Sequence, residues 1–196
     1  MVTSVVLAAG ESKRMGKIKQ LLPWGDKTVI ESVVFNLIHC QYIREIRVVL
    51  GANYEKIKPI FSNISEKKIK VLINENYKNG MITTVWTGLK LLPKDTEYIL
   101  FTLGDMPLIR TATYNQLMTE LTKNKPPILA PTYMGCRGHP LIVHKTFVPD
   151  IFKLNGPGGL RNLLKLYPEK INYLEVEDEG ILIDIDTPEE YEKYKH

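Results

Sequence analysis

The residues best suited to chemistry lie near the start of the chain, in the run from residue 8 to residue 16. This run follows the apolar residues 5 to 7, which predict a buried strand. Its small residues let backbone N–H groups come close to a ligand and point at phosphate oxygens. Arg14 and the nearby Lys19 can neutralise charge that the backbone cannot. The residue types therefore predict a loop that binds a polyphosphate.

Two well-known phosphate loops do not fit this stretch. A Walker A loop has four residues between its first glycine and its Gly-Lys pair, which Ser or Thr follows. Here five residues separate Gly10 from the pair at residues 16 and 17, and Ile18 comes next. The Rossmann pattern needs another glycine two residues after Gly10, where Ser12 stands. The stretch is therefore a different kind of phosphate loop.

Three carboxylates are placed where they could hold a cation. Asp105 follows a predicted strand at residues 98 to 103. A single Asp beside a triphosphate suits Mg²⁺, which takes one or two carboxylates together with phosphate oxygens. Asp184 and Asp186 are expected on one face of a strand, where two like charges favour a cation. We expect Asp186 to be the second ligand and Asp184 the weaker candidate; the alternatives are an Asx turn at Asp105 and helix capping at Asp186.

Other polar residues follow the same arrangement. Asn74 and Glu75 come directly after a predicted strand, as Asp105 does. In an open parallel sheet, ligands bind at the carboxyl ends of the strands. These residues are therefore expected at one edge of the sheet, although turn formation is an equal alternative for Asn74 and Glu75.

Other enzyme classes and site types lack their signatures. The chain has no G-x-S-x-G, H-E-x-x-H or C-x-x-C motif. Its four histidines have no metal-ligand spacing. Cys40 and Cys136 are too few and too far apart for a zinc site or a disulfide framework, and Cys40 is expected in the core.

The elements that must position these residues alternate along the first two thirds of the chain. Helices are predicted between the strands, and the first begins with Thr28 as N-cap and Glu31 three residues later. Such alternation predicts an α/β fold with a mostly parallel sheet and right-handed crossovers. The predicted strands are residues 5 to 7, 46 to 50, 69 to 73, 98 to 103 and 128 to 130.

The last third departs from this alternation. Residues 131 to 144 carry Gly135, Gly138 and Pro140 before an apolar run, which predicts a C-terminal hairpin region. Further strands are predicted at residues 171 to 176 and 180 to 185, and Thr187 with Pro188 predicts a helix start. No linker or repeat divides the chain, so residues 1 to 196 are expected to form one domain.

Composition and charge are those of an ordinary globular protein. The chain has 196 residues, of which 44% are hydrophobic and 24% charged. The net charge of +4 is mild and the lysines are scattered, so nucleic-acid binding is not expected. No apolar stretch approaches the length of a membrane span, and the chain shows no signal-peptide pattern. The sequence therefore indicates a cytoplasmic protein without a membrane partner.

Taken together, the motifs resemble those of a known enzyme family. The run L-A-A-G-E-S-K-R-M-G-K-I-K-Q-L-L from residue 7 is similar to the N-terminal signature of the sugar-nucleotide-type nucleotidyltransferases. Its L-A-A-G variant resembles the molybdenum cofactor cytidylyltransferase branch of the MobA-like NTP transferases. Matching blocks follow in order: G-M-I-T-T at 80 to 84, G-D-M-P at 104 to 107, G-C-R-G-H-P at 135 to 140, G-P-G-G-L-R at 156 to 161 and D-I-D-T-P-E-E at 184 to 190.

The resemblance implies a three-layer Rossmann-like nucleotidyltransferase fold and a role for each matching residue. Nucleotide would be bound mainly by residues 1 to 107, and the acceptor mainly by residues 131 to 170. The implied catalytic residues are Arg14, Lys19 and Asp105; the implied Mg²⁺ ligands are Asp105, Asp186 and Asp184; the implied acceptor ligands are His139 and Arg161. The implied nucleotide-binding residues are Leu7, Ala8, Ala9, Gly10, Asn74, Glu75, Gly80, Thr83 and Thr84.

The implied reaction joins an acceptor phosphate to the α-phosphate of a nucleoside triphosphate and releases pyrophosphate. The branch implies CTP and a molybdopterin-type cofactor, with a molybdoenzyme of the hydroxylase class as the recipient of the product. Ala9 favours CTP, because guanylyl-transferring relatives carry a glycine there and an added methyl crowds a purine more than a pyrimidine.

Several alternatives stay open at this point. They are guanylyl transfer to the same acceptor, nucleotidyl transfer to a sugar phosphate or another phosphorylated small molecule, and a non-catalytic cofactor escort. Thr83 and Thr84 replace two family serines and narrow the base site. Pro157 replaces an expected Asp, which leaves the exact acceptor open. The converging carboxylates argue against an escort, which has no use for acids beside an anionic cofactor.

Overall fold

A central mixed sheet organises the chain in the computed structural model, which describes residues 1–62, 64 and 66–195. Its strand order is β10-β7-β9-β6-β1-β4-β5, with β8 paired to β7 alone. A separate two-stranded hairpin joins β2 and β3. The strands are β1 (Val2–Ala8), β2 (Pro23–Trp24), β3 (Lys27–Thr28), β4 (Ile43–Leu50), β5 (Ile69–Ile73), β6 (Tyr98–Leu103), β7 (Ile128–Tyr133), β8 (Cys136–Arg137), β9 (Leu141–His144) and β10 (Ile171–Glu175).

Strand β1 lies at the centre of the sheet and fixes where the loops emerge. Every residue of β1 is buried, as expected for an apolar strand covered on both faces. It pairs in parallel with β4 and β6, so that Leu7 lies opposite Val49 on one side and Leu103 on the other. The loops that follow these three strands therefore leave the sheet at one edge.

Helices cover both faces of the sheet and make the three layers that were expected. Helices α1, α2 and α4 share one apolar core with one face, and α3, α5 and α6 share a second core with the other face. Cys40 is fully buried in the first core, as predicted. The helices are α1 (Val29–Ile38), α2 (Tyr54–Ser62), α3 (Met81–Leu89), α4 (Thr111–Asn124), α5 (Val148–Lys153), α6 (Arg161–Leu166) and α7 (Pro188–Tyr194).

The helix-start predictions at both ends of the chain are confirmed. Thr28 caps α1 and Glu31 completes a capping box, with the Glu31 carboxylate 2.8 Å from the Thr28 backbone nitrogen. Thr187 and Glu190 form the same motif at the start of α7. The Tyr191 hydroxyl then donates to the Pro23 carbonyl at 2.7 Å, which fixes α7 against the β2–β3 hairpin.

The predicted C-terminal hairpin forms only in part. Strands β7 and β8 make a short antiparallel hairpin at Tyr133 and Cys136. Strand β9 instead lies between β6 and β7 and runs antiparallel to both. The parallel sheet is therefore interrupted by one reversed strand, and β10 returns to the parallel direction beside β7.

The predicted strand at residues 180 to 185 is wrong. Residues Glu179–Leu182 form a 3-10 turn, and the residues after it are extended without joining the sheet. The reason is that their backbone groups bind loops: Ile185 N–H donates to the Asp105 carbonyl at 2.8 Å, and the Ile181 carbonyl accepts from His139 N–H at 2.9 Å. Asp184 and Asp186 therefore lie on a loop rather than on a strand face.

In the part of the chain that the structure describes, every helix is too short or too polar to cross a bilayer.

Candidate active site

The edge of the sheet where β1, β4 and β6 end is built by close backbone packing. A Cβ added to Gly104 would lie 2.7 Å from the Cβ of Ala8, and one added to Gly51 would lie 2.7 Å from the Cβ of Ala9. The two alanines are therefore small partly because they pack against glycines of neighbouring strand ends. By contrast, a Cβ at Gly10 would meet nothing within 4 Å. Gly10 thus faces open space at the mouth of a cavity.

The predicted phosphate loop lies at this edge and is held by its own hydrogen bonds. Gly16 has a φ of 68°, a conformation that favours glycine, and its N–H donates to the Ser12 carbonyl at 3.2 Å. The Ser12 hydroxyl accepts from Lys19 N–H at 3.3 Å and lies 3.3 Å from Gln20 Oε1. These bonds fix the backbone from which the Lys19 side chain extends.

Lys19 joins the two carboxylates that the sequence singled out. Its Nζ contacts Asp105 Oδ2 and lies 2.6 Å from Asp186 Oδ1. The three side chains are only 11%, 13% and 17% exposed, respectively. Arg14 also contacts Asp186, but its side chain is 70% exposed. Residues that are up to 167 positions apart in the chain thus meet around one ammonium group.

Charge and burial shift the pKa values of this cluster in different directions. Burial raises the pKa of the Asp105 carboxyl, and the contact with Lys19 opposes that rise. Burial would also raise the pKa of Asp186, but Lys19 and Arg14 outweigh it and lower that pKa. Burial works against the charge of Lys19, yet Asp105 and Asp186 outweigh it and raise its pKa. The ammonium and the Asp186 carboxylate are therefore charged at neutral pH.

Asp184 is set apart from this ion pair. Burial, Asp186 and Asp105 together raise the pKa of the Asp184 carboxyl. Its side chain lies between two cavities and lines both. We call these the cradle cavity, bounded by the phosphate loop, and the arginine cavity, which contains two arginines.

The cradle cavity has a volume of about 300 Å³ and gathers most of the predicted site residues. It lies directly in front of the ends of β1 and β6. Its lining includes Leu7, Ala8, Ala9, Gly10, Arg14, Lys19, Thr84, Asp105, Asp184 and Asp186, all of which were predicted, together with Gln20, Tyr77, Met81, Leu103 and Gly104.

The residue types of the cradle cavity suit a divalent cation. The Oδ1 atom of Asp105 is buried and has no hydrogen-bond partner among the described residues. The described residues also contain no cluster of three or more His, Cys, Asp or Glu side chains arranged around a metal. The Asp105 and Asp186 carboxylates fit Mg²⁺, which takes one or two carboxylates and keeps waters and phosphate oxygens.

Four predicted nucleotide-binding residues lie outside the cradle cavity. Asn74 and Thr83 are buried, and Asn74 Nδ2 donates to the hydroxyls of Thr83 and Thr84 at 2.9 and 3.0 Å. Gly80 is the N-cap of α3 with a φ of 99°, and Glu75 is exposed beside a neighbouring cavity. Their nucleotide-binding roles stay predictions, and the Asn74 network supports the start of α3 beneath Thr84.

The arginine cavity has a volume of about 210 Å³ and adjoins the cradle cavity. The two share Leu103 and Asp184 in their linings. His139 and Arg161, the predicted acceptor ligands, both line it, and so does Arg137. The structure therefore brings the two predicted acceptor residues together at one cavity.

His139 is a half-buried polar residue of the arginine cavity. Its Nδ1 atom is buried and has no partner among the described residues. Burial, together with Arg137 and Arg161, lowers the pKa of His139 to about 4 against the opposing effect of a hydrogen bond with the Phe101 backbone. The imidazole is therefore neutral at pH 7 and offers one nitrogen lone pair to a donor.

A bridging loop, residues 178 to 186, connects the two cavities. The buried Asp178 carboxylate accepts from Arg110 N–H at 3.0 Å and from Gly180 N–H at 3.1 Å, and it contacts the Thr113 hydroxyl. A Cβ added to Gly180 would lie 2.5 Å from the Leu108 carbonyl oxygen. The loop that carries Asp184 and Asp186 is thereby clamped against the segment that follows Asp105.

The sequence did not predict several residues that line the two cavities. Tyr77 and Met81 line the cradle cavity, and Arg137 lines the arginine cavity. Arg137 stands inside the G-C-R-G-H-P block, so that its position next to Gly138 and His139 was a usable signal. Met81 stands inside the G-M-I-T-T block, which was likewise a usable signal, whereas Tyr77 lies in an ordinary turn that no residue pattern marked.

Comparison with known proteins agrees with these features. The family model of the MobA-like NTP transferase domain matches residues 4–172 of this chain. The molybdenum cofactor cytidylyltransferase of Escherichia coli (strain K12) is 27% identical over 97% of this chain and 93% of that protein. The nicotine blue oxidoreductase of Paenarthrobacter nicotinovorans is 26% identical over 96% of this chain and 94% of that protein. Relatives of similar identity therefore carry different named activities.

Solved structures share the same fold. Rv0371c from Mycobacterium tuberculosis H37Rv superposes with a TM-score of 0.84 at 25% identity, over 98% of this chain and 96% of that one. A nucleotidyl transferase from Methanothermobacter superposes with a TM-score of 0.83 at 22% identity, over 100% of this chain and 96% of that one. The three-layer nucleotidyltransferase fold expected from the sequence is thus confirmed.

Proposed function

Because this chain belongs to the MobA-like NTP transferase family and is a nucleotidyltransferase, we propose that it transfers a cytidylyl group from CTP to the phosphate of a molybdopterin-type cofactor. Pyrophosphate is the second product. The observation that carries the proposal is the meeting of Lys19, Asp105 and Asp186 in front of the phosphate loop. An escort that only binds an anionic cofactor has no use for two converging carboxylates at that place.

The triphosphate is assigned to the cradle cavity. Gly10 leaves open space for phosphate oxygens, and Arg14 and Lys19 supply positive charge beside it. The pyrophosphate would leave from the loop of residues 10 to 16. In this assignment the chain provides positioning and charge compensation, and none of its side chains forms a covalent bond with the substrate.

Asp105 and Asp186 are assigned to a divalent cation, with Asp184 beside them. The unpartnered Oδ1 atom of the buried Asp105 supports this, because a carboxylate in that position gains from a positive partner. When bound, Mg²⁺ would screen the negative charge that accumulates on the triphosphate as pyrophosphate leaves. Arg14, at the exposed rim of the same cavity, would contribute to the same screening.

The arginine cavity is assigned to the acceptor. Arg137 and Arg161 suit a phosphate, and neutral His139 can accept a hydrogen bond from an N–H group of a pterin-like ring. An acceptor phosphate that reaches past Leu103 and Asp184 would face the cradle cavity, where it could attack the α-phosphorus. This division follows the expected one, with residues 1 to 107 serving mainly the nucleotide and residues 131 to 170 mainly the acceptor.

The base assignment depends on the L-A-A-G run and on the relative from Escherichia coli, whose name specifies cytidylyl transfer. The methyl of Ala9 packs against Gly51 at the wall of the cradle cavity. A glycine at this position would remove that methyl and enlarge the cavity. We therefore assign CTP rather than GTP, and a hydroxylase-class molybdoenzyme as the recipient of the product.

The test is a comparison of ATP, CTP, GTP and UTP, each with Mg²⁺ and molybdopterin, by release of pyrophosphate. The proposal expects turnover with CTP well above that with the other three. Preference for GTP would overturn the base assignment. Turnover with a sugar phosphate, and none with the pterin, would overturn the acceptor assignment. The same measurements with EDTA in place of Mg²⁺ should show no release.

A further inference from the structure

Lys19 occupies the oxygens that the proposed function assigns to a metal. Its ammonium contacts Oδ2 of Asp105 and Oδ1 of Asp186, the carboxylate atoms that face each other across the cradle cavity. These carboxylates are only 13% and 17% exposed, so that water screens their mutual repulsion weakly. The Lys19 ammonium thus balances the charge of these carboxylates in the place where a divalent cation would bind.

The Lys19 ammonium has three N–H donors and gives two of them to these carboxylates, so that it cannot keep both contacts while it binds several oxygens of a triphosphate. Its backbone is held by the Ser12 hydroxyl and by the 3-10 turn of residues Lys19–Leu21. The side chain, in contrast, is a flexible four-carbon stem with a compact charge. A triphosphate in the cradle cavity would draw the ammonium away from the carboxylates while the backbone stays fixed.

We infer that Lys19 is a displaceable counter-cation, which blocks the divalent-cation ligands Asp105 and Asp186 until a polyphosphate draws its side chain away. The inference rests on the proposed function in taking a polyphosphate as the ligand of the cradle cavity. Polyphosphate and metal then bind cooperatively, because each favours the arrangement that the other needs. This coupling is reciprocal, so that either ligand tightens the binding of the other by the same factor.

The inference predicts that replacing Lys19 changes the affinities for a divalent cation and for a polyphosphate in opposite directions. A divalent cation should bind the nucleotide-free protein more tightly without Lys19, because a competitor has gone. A polyphosphate should bind more weakly in the absence of metal, because a positive partner has gone. A lysine that only stabilises the fold, or only contributes a general positive potential, does not produce these two opposite effects.

The first experiment measures Mn²⁺ binding to the full chain without nucleotide, by the electron paramagnetic resonance signal of free Mn²⁺. We expect Lys19→Met to bind Mn²⁺ about tenfold more tightly than the wild-type protein, or better. Lys17→Met is the matched control, since it removes the same charge from an exposed position two residues away. Equal affinity in all three proteins, or an equal gain in both variants, would overturn the inference.

The second experiment measures binding of inorganic tripolyphosphate in EDTA by calorimetry. This probe carries no base, so that the result does not depend on the choice of CTP. We expect Lys19→Met to bind it about tenfold more weakly and Lys17→Met to match the wild-type protein. If the wild-type protein binds no tripolyphosphate, the proposed function and this inference both lose their ligand, whereas failure of CTP alone overturns only the base assignment.

A third measurement needs no variant and decides the matter if Lys19→Met does not fold. The ¹⁵N-detected ammonium resonance of Lys19 in the wild-type protein should shift on addition of tripolyphosphate in EDTA. Because Lys19 and the metal compete, Mg²⁺ alone should shift it only at higher concentrations than Mg²⁺ added together with tripolyphosphate. A resonance that ignores tripolyphosphate, or that moves at the same Mg²⁺ concentration with and without tripolyphosphate, contradicts the displacement.

Discussion

The two adjoining cavities differ in how their charges are arranged. The cradle cavity is lined by three carboxylates and two cations, and the Lys19 ammonium already contacts two of the carboxylates. The arginine cavity is lined by Arg137, Arg161 and one carboxylate, and the buried nitrogen of His139 has no partner among the described residues. The lining of one cavity is thus acidic, with its lysine already paired, whereas the lining of the other is basic.

This difference explains how one cleft can bind two anionic substrates, each in its own cavity. An acidic cavity with a displaceable lysine binds an anion more tightly when positive charge accompanies it, as in a complex of metal and nucleotide. A basic cavity accepts a free phosphate directly. The metal-bearing substrate and the acceptor are thereby sorted by charge before the shapes of base and pterin matter.

The largest expected effect tests the acidic side of the comparison. Asp105→Asn removes a carboxylate charge from the cradle cavity while keeping the shape of the side chain. We expect turnover to fall by on the order of 100-fold or more, which corresponds to about 3 kcal/mol of transition-state stabilisation. Pyrophosphate release measures turnover, and circular dichroism checks that the fold persists.

The exposed Asp26→Asn, which removes the same charge at the β2–β3 hairpin, is the matched control and should keep full turnover. Normal turnover in Asp105→Asn would mean that the cradle cavity is not where charge is compensated during the reaction. In that case the contrast between the two cavities would be structural only.

The next effect tests how tightly the cradle cavity is built. Gly104→Ala places a Cβ 2.7 Å from the Cβ of Ala8, between the ends of β1 and β6. Overpacking of this kind costs about 2 kcal/mol, or roughly 4 to 8 °C in the melting temperature of a chain of this size. Gly10→Ala, whose Cβ meets nothing within 4 Å, should melt like the wild-type protein. Equal melting temperatures would show that the strand ends separate easily.

The basic side is tested by Arg161→Ala. Loss of a charge-assisted contact to an anionic acceptor should raise the KM for that acceptor by about tenfold or more and leave the KM for CTP unchanged. Steady-state kinetics with each substrate varied in turn measures the split. Lys165→Ala, at an exposed position of the same helix α6, is the control. A rise in the KM for CTP instead would place Arg161 on the nucleotide.

The sequence predicted the sheet well where signals are local. Strands β5 and β6 have the predicted bounds, because each is a mostly apolar run closed by polar or glycine residues. The insertion of β9 between β6 and β7 was not predictable, because it depends on pairing between distant segments. Residues 180 to 185 carry strand-forming side chains, yet their backbone groups bind the loops around Asp105 and His139.

The site was predictable as far as motifs reach. Asp105, Asp186 and the phosphate loop were each found from a local pattern. The meeting of Asp105 with the phosphate loop follows from the common edge of the sheet, whereas Asp186 reaches them on the bridging loop. No pattern indicated that Lys19 would bind both carboxylates, since its partners lie 86 and 167 residues away. Tyr77 and Met81 reach the cradle cavity from the 3-10 turn Tyr77–Asn79 and from the first residue of α3, respectively.

The smallest expected effect is a pH dependence that arises in the arginine cavity. Burial and two arginines lower the pKa of His139 from its ordinary 6.5 to about 4. Between these values the unfolded chain binds a proton that the folded chain does not, so the free energy of unfolding falls as the pH drops from about 6.5 to 4. At pH 5.5 the expected loss is about 1.4 kcal/mol.

Urea unfolding between pH 7 and pH 4 measures this slope, and His139→Gln should remove that part of it. His39→Gln, an exposed histidine at the end of α1, should keep the slope because His139 is still present. The difference between the two variants isolates His139 from the acidic residues that titrate near pH 4. If both variants show the same slope, the arginine cavity tolerates a further positive charge, and the sharp contrast with the cradle cavity does not hold.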